Sequence, residues 1–161
     1  FLPAMPTRTG TSIVVGASSG IGLAVARRLA LEGRKVAMLA RRTTELQAQV
    51  ALVNDAIGRQ QAFAFVHDAA DTAAAEPLFA RIEQELGQVD ELHYVAGVMP
   101  DVAIDEFDLA KDTIQIQVNA LGCIAWVSAA ARRFQPRKAG CIGKPFDALT
   151  LGAQVLHILG K

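Results

Sequence analysis

Apolar positions along the first two-thirds of the chain switch repeatedly between unbroken short runs and helical spacing. Residues 12–15 are a β-branched apolar run that stops at Gly16, and from Ile21 apolar residues recur at Ala24, Val25 and Leu29. That order predicts strand, glycine loop and helix. Gly33 stands where a helix C-terminus closes, and residues 35–40 (KVAMLA) read as a second strand buried on both faces. Thr43 or Thr44 can cap the next helix, which carries Leu46, Val50, Val53 and Ile57 on one stripe and ends at Gly58. Residues 62–66 predict a third strand, Asp71 or Thr72 opens a helix through Leu86, and Gly87 ends it before a fourth strand over 91–95. A long helix is predicted from 108 to 134, with Ile114, Val118, Leu121 and Ala125 in one apolar line. Beyond Val118 nearly every side of it is apolar, so the sheet must cover one side and another helix or a second subunit the other. Strands alternating with helices at short intervals predict an α/β fold: a doubly wound parallel sheet in three αβα layers.

Composition narrows the class. With 161 residues and 52% apolar content the chain can bury one core, and one domain is expected. Lys plus Arg equals Asp plus Glu at 16 each, so no global field draws it to nucleic acid or an acidic membrane face. A small neutral partner or a locally bound anion fits better. Cys123 and Cys141 lie outside any C-x-x-C or Cys/His spacing and read as reduced core thiols of a cytoplasmic protein. His67, His93 and His157 show no metal-ligand spacing, and no metal is expected. The apolar run 116–131 is interrupted by Gln117, Asn119 and Ser128 and falls short of the roughly 20 residues that span a bilayer. The start lacks the basic flank and long apolar run of a signal peptide, and Met5 looks like a natural initiator preceded by added residues 1–4.

The chemistry-bearing segment is Gly16-Ala17-Ser18-Ser19-Gly20-Ile21-Gly22, at a strand-to-helix junction. There, unpaired backbone N–H groups and the helix dipole make a phosphate site, and glycines let the backbone approach a pyrophosphate. The spacing is G-x-x-x-G-x-G rather than the G-x-G-x-x-G of many dinucleotide folds. VGASSGIG closely resembles the glycine motif of the short-chain dehydrogenase/reductase family, with Val15 in place of the usual Thr. The resemblance continues in order through Asp68 after the third strand, Ala96-Gly97 after the fourth, and Val118-Asn119-Ala120-Leu121-Gly122 in the long helix. Where the family usually has Asn-Asn-Ala-Gly, this chain has Tyr94-Val95-Ala96-Gly97.

The resemblance implies a Rossmann-like domain over residues 1–161, departing from the family pattern over 143–161. It implies a cofactor held by Gly16, Ser18, Ser19, Gly20, Ile21 and Gly22, with Asp68 and Ala69 edging the adenine and Ala96 and Gly97 passing beside its ribose. Asn119 would belong to the catalytic apparatus. The alternative reading of Asn119, less favoured given the matching motif around it, is a helix-interior amide bonded to a neighbouring backbone group. The resemblance also suggests a homodimer or homotetramer paired through the long helix near Trp126.

A carboxylate at the end of the second strand would hold the ribose hydroxyls of NAD, whereas an arginine there accepts a 2′-phosphate. The residues are Ala40-Arg41-Arg42, which points to NADP(H); the alternative is a pair of solvated arginines before a helix.

The catalytic half of the pattern breaks. The family's hydride transfer to or from a small carbonyl or alcohol uses a Tyr acid/base tuned by a Lys, plus a Ser. In sequence this is Y-x-x-x-K soon after the fifth strand. Tyr94 is the only tyrosine, it precedes Asn119, and Val98 stands four residues on. His157 and Lys161 make a poor substitute pair, since a chain-terminal lysine is usually mobile. Gly140-Cys141-Ile142 is similar to the start of the family's fifth strand, then Gly143-Lys144-Pro145-Phe146 turns away and 146–159 has an amphipathic helical pattern. Either this is a shortened, internally deleted relative, or a mobile stretch that carries the Ser, Tyr, Lys and substrate loop belongs between the two pieces; the second is preferred, because the break falls between two family-like segments. The two functions open at this point are an NADP-dependent oxidoreductase and a catalytically silent NADP(H)-binding or subunit-pairing module.

Overall fold

The computed structural model describes residues 9–143. The expected pattern over 146–159, the Pro145 strand end, and His157 with Lys161 lie outside them.

Among the described residues five strands form one parallel sheet: β1 (Thr11–Val15), β2 (Lys35–Ala40), β3 (Ala62–Val66), β4 (Val89–Tyr94) and β5 (Cys141–Gly143), in the order β3-β2-β1-β4-β5. β1 is central and wholly buried, which is why Ile13, Val14 and Val15 are apolar with no alternation. Helices α1 (Gly20–Leu31) and α2 (Thr43–Ile57) cover one face, where Ala26, Leu29, Leu46 and Val53 meet Val14, Val36 and Met38. On the other face Phe79 and Ile82 of α3 (Ala75–Leu86) and Trp126, Ala129 and Phe134 of α5 (Cys123–Arg137) meet Ile13, Leu39, Phe65 and Leu92. The chain reverses direction in the sheet order at β1, between β2 and β4, so the carboxyl ends of β1 and β4 diverge there and open a crevice.

Several boundaries differ from the sequence expectation. α2 starts at Thr43, but its N-cap is Arg42 and no side chain caps it; neither threonine does so. Asp71 does cap, accepting from Ala74 N–H at 3.2 Å, although the first turn it opens is a 3-10 turn over Thr72–Ala74. The fourth strand begins at Val89, and α5 runs on through Pro136 to Arg137. Cys141 is exposed on β5 rather than in the core, while Cys123 is half-buried, and neither forms a disulfide.

The long helix is α4 (Leu109–Ile116), a π-helical stretch (Gln117–Gly122) and α5 in continuous succession, opened by Asp108, whose carboxylate accepts from Ala110 N–H at 2.8 Å. The π stretch widens the turn and rotates everything after it, so the expected apolar line fails there: Leu121 is 45% exposed and Gly122 faces inward instead. Taken together the run Leu109–Arg137 spans 29 residues and is long and apolar enough to cross a membrane by length and composition. It exceeds the 116–131 run read from sequence, and here its inner side packs on the sheet through Val118, Trp126, Ala129 and Ala130.

Candidate nucleotide-binding site

The loop between β1 and α1 is built around two glycines with steric reasons for being so. Gly16 has φ of 90°, and a Cβ there would sit 2.6 Å from Ala96 N; one on Gly22 would sit 2.0 Å from Gly16 O. Gly16 and Ala17 both donate to Leu39 O, at 2.8 and 2.9 Å, which ties the loop to the end of β2. Ser19 is the N-cap of α1 yet makes no side-chain cap, so the helix starts with its first-turn N–H groups uncapped at the crevice.

The crevice is an open groove of about 340 Å³. Its walls bring together residues from the ends of β1, β2, β3 and β4: Gly16, Ser18, Ser19, Ile21 and Gly22 on one side, and Arg41 and Arg42 at another corner. Asp68 with Ala69, and Ala96 with Gly97, complete it. Gly20, expected among them, lies in the same loop but not on the groove wall; it has φ of 55° and nothing within 4 Å of its Cβ position.

Arg41 and Arg42 are exposed. Arg42 reaches Glu45 at 3.4 Å across an exposed i,i+3 pair, while Arg41 makes no ion pair among the described residues. Asp68 accepts from Ala70 N–H through Oδ1 at 3.0 Å.

Asn119 lies in the π stretch, and its amide spans Val98: Oδ1 accepts from Val98 N–H and Nδ2 donates to Val98 O, each at 2.8 Å. It bonds backbone, as one reading of the sequence had it, but backbone of the loop after β4 rather than of its own helix. Tyr94 is fully buried and its hydroxyl donates to Val118 O, with Gly122 packed against the hydroxyl oxygen. Burial, then the neighbouring Cys123 and Asp68, push the phenol above its ordinary pKa, so it stays protonated.

The sequence gives Tyr94 no role as an acid, although its place on the core face of β4 is readable from the Leu92-x-Tyr94 alternation. Nor does it signal His67, which lines the groove while accepting from Trp126 Nε1 at 3.0 Å. A lone histidine ending a strand carries no spacing signal.

A protein-family model described as short chain dehydrogenase matches residues 11–142. The chain belongs to the short-chain dehydrogenase family. It is 34% identical over 131 residues to 2,3-dihydro-2,3-dihydroxybenzoate dehydrogenase of Bacillus subtilis (strain 168), covering 81% of this chain and 49% of that protein. It is 30% identical over 130 residues to the 3-oxoacyl-acyl-carrier-protein reductase MabA of Mycobacterium avium, covering 81% of this chain and 46% of the other. Among solved structures, actinorhodin polyketide ketoreductase with NADPH superposes with a TM-score of 0.78 at 26% identity, over 87% of this chain and 54% of that one. The chain thus spans about half the length of these short-chain dehydrogenase relatives.

Proposed function

We propose that this chain is the nucleotide-binding part of an NADP(H)-dependent oxidoreductase that acts on a small carbonyl or alcohol. The observation that carries the reading is the corner of the groove at the end of β2: residues 40–42 hold no acid, and Arg41 is unpaired among the described residues beside the groove. A free guanidinium there favours a 2′-phosphate through charge-assisted, bidentate hydrogen bonds. The rest of the groove fits a dinucleotide. The loop at Gly16 and Gly22 is closed to side chains, and the space over Gly20 is free. The uncapped start of α1 favours an anion. Asp68 and Ala69 would edge the adenine, and Ala96 and Gly97 its ribose. The NADPH of the actinorhodin ketoreductase supports the same reading.

When bound, the nicotinamide supplies the hydride donor or acceptor. This chain's residues bind and orient: the loop and α1 hold phosphate, the arginines select the 2′-substituent, and Asn119 is a positioning residue that fixes Val98 beside the groove.

Calorimetric titration with NADPH and NADH tests the proposal. NADPH is expected to bind at least about tenfold more tightly, the worth of one charge-assisted bond, and Arg41→Ala should remove most of that preference. Equal affinities overturn it.

One observation favours the silent-module reading for these 161 residues: the only tyrosine is buried and spent on Val118. A turnover assay over a panel of carbonyl compounds separates the two. NADPH binding without oxidation assigns the module role to this chain.

A further inference from the structure

His67 follows β3 and adjoins Asp68 and Ala69, the part of the groove that the proposed function gives to the base. Its ring sits edge-on to Trp126, with centroids 5.2 Å apart and planes at 77°. An indole N–H can only donate, so Nε2 of His67, 3.0 Å from Trp126 Nε1, must offer its lone pair. In the neutral ring the proton is therefore on Nδ1. Burial holds the ring neutral, lowering its pKa against the pull of Asp71 and Asp68, the acids that face it. Nδ1 has no protein partner among the described residues. No fully buried side-chain nitrogen or oxygen among them lacks one, so Nδ1 is not sealed in. What His67 lines is the groove.

We infer that His67 is a further binding residue for the nucleotide: its Nδ1–H, fixed as a donor by Trp126, hydrogen-bonds a ring-nitrogen acceptor of a purine lying against Asp68 and Ala69. The inference rests on the nucleotide reading above. It gives the base end of the groove a neutral donor independent of the phosphate-binding loop and the arginines. It also gives Trp126, the only tryptophan in the chain, an indirect part in binding.

The test uses adenosine 2′,5′-bisphosphate, which carries the base, ribose and phosphates without nicotinamide, titrated calorimetrically into the full chain. The unsubstituted protein should bind it. His67→Leu should bind about three- to tenfold more weakly, the range of one neutral hydrogen bond. His67→Gln keeps an acceptor for Trp126 and a donor for the base, and should recover most of the affinity. A folded His67→Leu protein with undiminished affinity overturns the inference, and so does a folded His67→Gln protein as weak as it.

Should the leucine variant fail to fold, long-range 1H–15N correlation on the unsubstituted protein decides. The free protein should show the Nδ1-protonated tautomer, with a marked Nδ1 shift on adding the probe. The other tautomer, or an unmoved Nδ1, overturns the assignment. Failure of the unsubstituted protein to bind the probe removes the nucleotide reading itself, whereas binding indifferent to His67 removes only this inference.

Discussion

At Gly22 the absence of one methyl group sets how closely α1 can start behind β1. A Cβ would sit 2.0 Å from Gly16 O, a backbone atom that cannot swing aside, so Gly22→Ala must push the helix start and the loop apart. The expected cost is about 1–3 kcal/mol, the usual range for overpacking, read as a lower urea midpoint, together with weakened NADPH binding. An alanine variant of unchanged midpoint and affinity would show that the close approach does not matter. His67 gives a residue-scale prediction in pH. Its folded pKa lies below its ordinary 6.5 because burial disfavours the charged ring, against the opposing pull of Asp71 and Asp68. The unfolded chain therefore binds the proton more readily than the native one. The stabilisation is complete above the unfolded value of about 6.5 and is lost as pH falls below it toward the folded value. Urea midpoints should drop between about pH 8 and pH 5, and the drop should shrink in His67→Gln; an undiminished drop in that variant would assign the effect to other groups.

The π stretch Gln117–Gly122 shows why elements were more legible than their faces. Strands β1, β2 and β3 are short apolar runs with clear stops, and the residues of the glycine loop, Arg41, Asp68 and Ala96 follow them directly, so fold and groove could both be read along the chain. Helical spacing, by contrast, assumes a constant turn. The stretch is held by contacts distant in sequence: Tyr94 to Val118, Asn119 to Val98, and Gln117 Nε2 to Ala70 O at 2.8 Å. No local pattern announces these bonds, and so Leu121 was expected inside and Gly122 was not. Cys141 was misjudged for a related reason, since its exposure depends on β5 being the edge of the described sheet. Asn119→Ala removes both bonds to Val98 and should cost about 1–3 kcal/mol for the groups left unpaired. Because the loop after β4 forms one wall of the groove, NADPH affinity should fall as well. Tyr94→Phe removes the bond to Val118 O; it should lower the urea midpoint while leaving NADPH affinity nearly intact. The opposite split between the two variants would mean that Asn119 does not position the groove.

Seen whole, the molecule is unevenly finished. One side of the long helix is locked to the core and to α3, where Arg133 bridges Glu76 and Glu83 at 2.7 and 2.8 Å and lies 4.4 Å over the Phe79 ring. The other side carries Leu109, Ile116, Leu121 and Ile124 in the open, and the loop before it exposes Met99, Ile104 and Phe107. Large apolar side chains exposed along one helix and the loop before it, on a chain that forms its own core, are what association sites look like. A two-fold pairing of like surfaces is the commonest way to cover one. The expected state is accordingly a dimer through this helix, with the nucleotide groove left accessible because its lining, apart from Val118 and the first turn of α1 (Ile21 and Gly22), comes from the strand ends and the loops beyond them. Sedimentation velocity of the full chain should give a dimer, and Ile124→Glu, placing a charge on the exposed face away from Trp126, should shift it to monomer with little change in thermal midpoint or NADPH affinity. A monomeric parent protein would remove the proposed pairing. A variant that stays dimeric would move it to another surface, for which the exposed Met99–Phe107 loop is the next to substitute.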